Sequence, residues 1–276
     1  ASLTTQMLRT GEIGPFQLGG LEFPWEFVTL FAGSVPIMVA AALLSTLFVI
    51  PQPAQEVSRK SFREGVFGGL GEFLGNRTLR IAAVVTLLMY AGSLVNTNMT
   101  LYTKAALGKA AADYAGYQLA LRFSFKCVTG LFLGWLLAKT NPRAGLLLTI
   151  IFAFLAVAWI LLVPGIWFLA AFGIFGAGEL IGVYAPNYIL SGSSPGRMRR
   201  NMGFATMLLA LAAPAGFLFG AISDYFTGVF SERLGFQLSF VAALLMIGSA
   251  LFLALWLPAR PAVDAEGEEK PAASAS

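Results

Sequence analysis

Histidine is absent from the chain, and cysteine occurs once, at Cys127. A His-based catalytic triad therefore cannot be assembled within it. No cluster of Cys or carboxylates supplies a transition-metal site in its place. One thiol also excludes an internal disulfide framework. Charge is scarce, at 12% Asp, Glu, Lys and Arg, about half the usual share for a soluble domain. Apolar residues make up the difference, with 57% hydrophobic, 24 Phe and a mean hydropathy of +0.76. Such a chain is an integral membrane protein. Its net charge of +4 does not point to nucleic acid, because the basic residues sit in short connections between apolar runs, where they set topology. Phosphate-loop chemistry is missing too. The glycines at Gly65, Gly68, Gly69 and Gly71, and Gly176-Ala177-Gly178-Glu179, follow no strand and lead into no Gly-Lys-Ser/Thr, so no nucleotide or other cofactor is expected. A membrane enzyme would lack any constellation of nucleophile, base and metal.

About 20 helical residues cross a hydrocarbon core roughly 30 Å thick. Uncharged or nearly uncharged runs of that length occur at 27–50, 81–103, 114–138, 201–223 and 234–259. The run 144–196 carries only Glu179 and is long enough for two spans, joined at the turn signal Pro164-Gly165. The expected fold is all-α with seven transmembrane helices. Residues 1–23 form an extracytoplasmic segment and 24–50 the first helix. Residues 51–78 form a cytoplasmic linker, which reads equally as an interfacial helix around 61–75 or as a loose connection weakened by its glycines. Residues 79–258 hold six helices, and the Pro-, Ala-, Ser- and acid-rich 259–276 reads as a disordered tail. The opening Ala1-Ser2-Leu3 has neither Met nor a signal peptide, as expected of a piece of a longer protein.

Basic residues divide unevenly between the two ends of these helices. One end receives Arg59, Lys60, Arg63, Arg77, Arg80, Lys139, Arg143, Arg197, Arg199, Arg200, Arg260 and Lys270; the other receives Arg9, Lys104, Lys109 and Arg233. The bias predicts a cytoplasmic C-terminus, an N-terminus outside and an inner-membrane location. Polarity is uneven as well. The runs 144–163 and 238–257 are almost purely apolar and are expected to face lipid on most sides, whereas the helices between them carry amides, hydroxyls and charges. Greasy helices at every third position suit two three-helix repeats around a cavity.

In order and spacing the chain resembles the C-terminal half of a major facilitator superfamily transporter, preceded by the last helix of the N-terminal half. Gly134-Trp135-Leu136-Leu137-Ala138-Lys139-Thr140-Asn141-Pro142-Arg143 resembles that family's cytoplasmic signature G-x-L-a-D-r-x-G-r-k in its degenerate second-half form. Ala138 stands at the acidic position, Asn141 at the second glycine and Pro142 at the first closing basic residue. The stretch Ser194-Pro195-Gly196-Arg197-Met198-Arg199-Arg200, with Pro214 to Gly220 beyond it, is similar to the family's tenth-to-eleventh helix passage. The resemblance implies secondary transport of a small polar or anionic solute by alternating access, as symport or antiport. It also implies a missing six-helix half or a partner subunit, and a gating role for the loop of Gly134, Lys139 and Arg143.

Two cations lie within one apolar run. Arg122 and Lys126 are one helical turn apart on a shared face, and such groups need a protein partner or a watery cavity. Lys126 lies 13 residues after Asp113 and Glu179 lies 13 after Ile166, so each sits about 20 Å along its helix. A Lys126–Glu179 or Arg122–Glu179 pair follows, as either a coupling switch or a permanent structural tie. Asn96 and Asn98 could bind a polar solute or bond neighbouring helices; Tyr184 and Asn187, around the bend expected at Pro186, could do either. Gly173, Gly176, Gly178 and Gly182 suit close helix packing. A rival to transport is a scaffold or assembly factor that keeps the fold and binds a protein or pigment.

Overall fold

A computed structural model describes residues 12–13, 16–17, 25–45 and 62–262. The expected tail from 263 on, the linker residues 51–61 and most of 1–23 lie outside the described residues. The chain divides into two units, Ala1–Ser58 and Arg59–Ser276. In the first, the two-residue strands β1 (Glu12–Ile13) and β2 (Phe16–Gln17) pair antiparallel, a small exception to the all-α expectation. Helix α1 (Trp25–Ser45) contains Pro36.

The second unit is helical. Helix α2 (Phe62–Gly75) forms despite its glycines, because Phe73 is buried on the core and Val66, Leu70 and Leu74 pack against it. Among the described residues, six helical stretches long and apolar enough to cross a membrane follow. Span 1 (Arg77–Leu107) joins α3 (Arg77–Ser93) to α4 (Asn96–Leu107); span 2 is α5 (Ala111–Lys139); span 3 is α6 (Pro142–Leu162). Span 4 (Gly165–Ser191) joins a 3₁₀ turn to α7 (Ala170–Gly178) and α8 (Ile181–Ser191). Span 5 (Met198–Val229) joins α9 (Met198–Leu209) to α10 (Pro214–Val229), and span 6 is α11 (Glu232–Ala254).

Local chemistry places the ends. Asn76 and Asn141 accept from the backbone N–H of Leu79 and Ala144, capping α3 and α6. The chain turns between spans 3 and 4 at Gly165, whose φ of 69° places it in the left-handed region that favours glycine. Spans 1 and 4 are interrupted without a proline at either break, though Gly92 lies just before one interruption and Gly178 and Gly182 flank the other. Leu94 and Val95 tighten onto the carbonyls of Ala91 and Gly92, and Leu180 and Gly182 onto those of Ala177 and Glu179, replacing α-helical bonds by three-residue ones. Span 5 breaks before Pro214, which has no N–H to donate.

Spans 3 and 6 lie against each other. Span 4 packs on span 3 and span 1 on span 6; span 2 packs on spans 3 and 4, and span 5 on spans 6 and 1. The two greasiest helices, expected to face lipid on most sides, are nonetheless more buried than spans 2 and 5. Within the most apolar stretch of each, residues buried in the protein make up 44% for span 3 and 33% for span 6, against 6% for span 2 and 17% for span 5. Small residues bring the neighbours close: Gly248 of span 6 lies against the Phe154 ring of span 3, Ala153 of span 3 against Gly178 of span 4, and Ala243 and Ile247 of span 6 against Gly92 of span 1, while Ile150, Ala156, Val157 and Ala250 are also buried. The outward faces of spans 3 and 6, with Leu155, Leu162, Leu245 and Phe252, remain exposed.

The two ends of the bundle are closed differently. At one end, Tyr102 meets the rings of Phe168, Phe236 and Phe240 edge-on. At the other, Arg143 Nη2 donates to the Leu255 carbonyl at 2.5 Å and Tyr188 donates to that of Pro258 at 2.8 Å, satisfying carbonyls just past α11.

Candidate functional site: an ion triad between spans 2 and 4

Gly176 fixes where the site forms. With only hydrogen for a side chain, it lies against the Arg122 backbone, and a Cβ there would fall on the Arg122 carbonyl. Gly173, one turn earlier, faces the Phe125 ring. These two glycines let α5 and α7 approach, and Glu179, just beyond the end of α7, then reaches both cations of α5.

Arg122 engages Glu179 with both arms of its guanidinium. Its Nε–H donates to Oε2 at 2.9 Å and its Nη2 to Oε1, a fork matched to the carboxylate. The Lys126 ammonium donates to the same Oε2 at 3.0 Å. Aromatic faces flank the cations: Arg122 lies 6.0 Å from the Phe175 centroid and Lys126 5.9 Å from that of Phe123. The sequence offered two alternative pairs, and the structure forms both around one carboxylate.

The triad is not sealed. Side-chain exposure is 25% for Arg122, 33% for Lys126 and 19% for Glu179. Three ionised groups in the middle of apolar spans cannot face acyl chains at those exposures without a large desolvation cost, so water or protein belongs beside them. Two positive charges against one negative leave the cluster at +1.

Tyr90 is one of several polar side chains of span 1. Its hydroxyl lies against Gly182, beside the interruption of span 4, and the Glu179 carboxylate acts on it electrostatically. Among the described residues that hydroxyl makes no hydrogen bond. Nothing in the sequence distinguished it from the other polar side chains of the span, because the glycine opposite it lies on another span.

The remaining candidates lie apart from the triad. Asn98 is buried, and its Nδ2 donates to the Phe219 carbonyl at 3.1 Å and to Ser239 Oγ at 2.9 Å, tying together spans 1, 5 and 6. Both amide hydrogens are thus engaged within the protein. Asn96 is half-buried, and its Oδ1 has no partner among the described residues. The Tyr184 ring is buried against Gly145 of α6, and Asn187 is half-buried near the end of α8. In the 134–143 stretch, Gly134 faces open space, Lys139 lies 4.9 Å over its own helix's Trp135 ring, and Arg143 reaches the end of α11. Gly178 meets the Ala153 backbone, so span 4 is held closely from several sides by its glycines. Among the described residues no group of His, Cys, Asp and Glu could hold a metal ion.

No protein-family model, curated protein or solved structure matches the chain. Its functional reading therefore rests on its own residues.

Proposed function

We propose that the chain is the C-terminal part of a secondary active transporter of the major facilitator type, moving a small polar or anionic solute by alternating access. The Arg122–Glu179–Lys126 triad carries the reading: three ionised groups midway along apolar spans, open on one side, with one positive charge in excess. Ion pairs of this kind are bistable elements, since closing and opening them changes which helices attract one another.

Further support comes from the packing. Exchanging spans 1, 2 and 3 for spans 4, 5 and 6 turns each main span-to-span contact into another that also occurs, as two three-helix repeats require. The interruptions at Leu94-Val95 and at Glu179-Leu180 fall in spans that correspond under this exchange. On this reading α1 is the last helix of the preceding half, α2 lies in the central linker, and the basic end faces the cytoplasm. The other wall of the pathway comes from a six-helix N-terminal half or a partner subunit, packed on the exposed spans 2 and 5.

Gradient-driven uptake into membrane vesicles by the full-length protein tests this. Lys126→Gln and Glu179→Gln should each abolish uptake at normal membrane abundance, and undiminished uptake in both would refute the role. A scaffold or assembly factor with the same fold is favoured by one observation: spans 2 and 5 expose Phe123, Leu131, Trp135, Phe217 and Tyr225, a wide aromatic surface for a protein or pigment partner. Stable co-purification of such a partner, with no solute moved, would select that alternative.

A further inference from the structure

The two cations of the triad are not equivalent, and the difference points to the chemistry of the solute. Arg122 is held at both ends. Its backbone is pinned by Gly176, and its head group is forked onto both oxygens of Glu179. Lys126 makes one hydrogen bond, to an oxygen that Arg122 already occupies, and is the most exposed of the three at 33%. An ammonium carries three donors, so most of its capacity has no protein partner among the described residues. Releasing Lys126 from Glu179 breaks one bond and leaves the carboxylate neutralised by a bidentate guanidinium. Releasing Arg122 would break the fork and disturb the α5–α7 contact as well.

We infer that Lys126 is an anion receptor: a small organic monocarboxylate replaces Glu179 as its partner, while Arg122 keeps the glutamate. The charge fits, since one monovalent anion brings the cluster from +1 to zero, whereas a dianion would overshoot and a cation would be repelled. The surroundings fit an organic body. Phe123, whose ring is 5.9 Å from the ammonium, is largely exposed beside it, and the Tyr90 hydroxyl beside Gly182 is available to donate to the anion. A lipid phosphate is excluded by reach. Lys126 stands near the middle of α5 (Ala111–Lys139), roughly 20 Å from either end, and a headgroup stays at the interface. The inference deepens the transport reading and rests on it for the solute being the ligand.

Isothermal titration of benzoate into the purified full-length protein tests the assignment, with benzyl alcohol as neutral counterpart and sulfate as dianion. Saturable benzoate binding is expected, with binding of the other two weaker by about tenfold or more. Lys126→Gln should weaken benzoate about tenfold or more, and Lys126→Arg should restore most of it. Glu179→Gln removes the competing carboxylate and should tighten benzoate, although it abolishes uptake; a purely structural ion pair predicts no such gain. Should Lys126→Gln fail to fold, the Glu179→Gln and Lys126→Arg titrations decide the matter alone. Equal benzoate affinity in the wild type, Lys126→Gln and Glu179→Gln overturns the receptor, as does benzyl alcohol binding as well as benzoate. Anion binding without any uptake sinks the transport reading and leaves the receptor. Uptake of a neutral solute that survives in Lys126→Gln sinks both the coupling role and the receptor.

Discussion

Gly176 and Gly134 are both glycines inside apolar helices, yet one added methyl group should act on them in opposite directions. At Gly176 it would strike the Arg122 carbonyl, which cannot move without shifting α5, whereas Gly134 faces open space. Gly176→Ala should lower stability by about 1–3 kcal/mol and reduce uptake. Gly134→Ala should be neutral or stabilising by up to roughly 1 kcal/mol. Thermal denaturation in detergent compares the two, and similar melting temperatures would disprove the packing argument. The ion triad was legible in the sequence because charge is so rare in these spans that each one had to be accounted for. Equal spacing from the helix starts then put Lys126 and Glu179 at one level. Asn98 was less legible. Hydropathy separates polar from apolar faces but cannot say whether a polar face meets solute or another helix, and here both of its amide hydrogens reach across to spans 5 and 6. Asn98→Ala should therefore lower stability by about 0.5–2 kcal/mol while leaving solute affinity unchanged, as titration would record.

Helix α2 illustrates the same limit one level up. Its glycines argued against a helix and its apolar spacing argued for one, and tertiary contact decides. Gly69 gives room to the Arg200 stem and the Phe204 ring, Phe73 packs on Phe204 at 6.1 Å, and Glu72 meets Arg200 at 2.5 Å and Arg197 at 3.7 Å. The glycine that weakens the helix is the one that lets it dock on α9. Reversing the charge with Glu72→Lys sets a third cation against two arginines, and Gly69→Val pushes on Phe204. Each variant should speed amide exchange in 62–75 while the exchange of α11 stays unchanged. Exchange in α2 as slow as in the wild type would mean that these contacts do not hold it. The interruptions of spans 1 and 4 were hard to see in the sequence, because neither contains proline and the glycines beside them, Gly92, Gly178 and Gly182, suit close helix packing equally well. The turn at Pro164-Gly165, marked by both, was visible.

At the scale of the molecule, hydropathy gave six of the spans but not how much of each meets protein. Apolar residues suit lipid and protein neighbours equally in a membrane, so a greasy helix is not by that fact an outer one. Spans 3 and 6 meet spans 4 and 1 closely at Gly178 and Gly92, whereas span 2, with two mid-helix cations, is the least buried of the six. Exposure alone cannot separate water from lipid, but thiol chemistry can, since maleimides react with a thiolate that forms only where water reaches. Phe123 beside Lys126 and Leu155 on the outer face of span 3 are both exposed, at 60% and 49%. Cys127 is the one cysteine of these 276 residues, so a Cys127→Ser background, with any cysteine elsewhere in the full-length protein also changed to serine, is free of thiols. If the triad lines a watery pathway, Phe123→Cys in that background should be labelled in intact membranes by a water-soluble maleimide, and benzoate should slow the labelling. Leu155→Cys should react only after denaturation. Equal protection of both positions would mean that acyl chains or a tightly packed partner cover the triad, and a solute could not reach Lys126 from water.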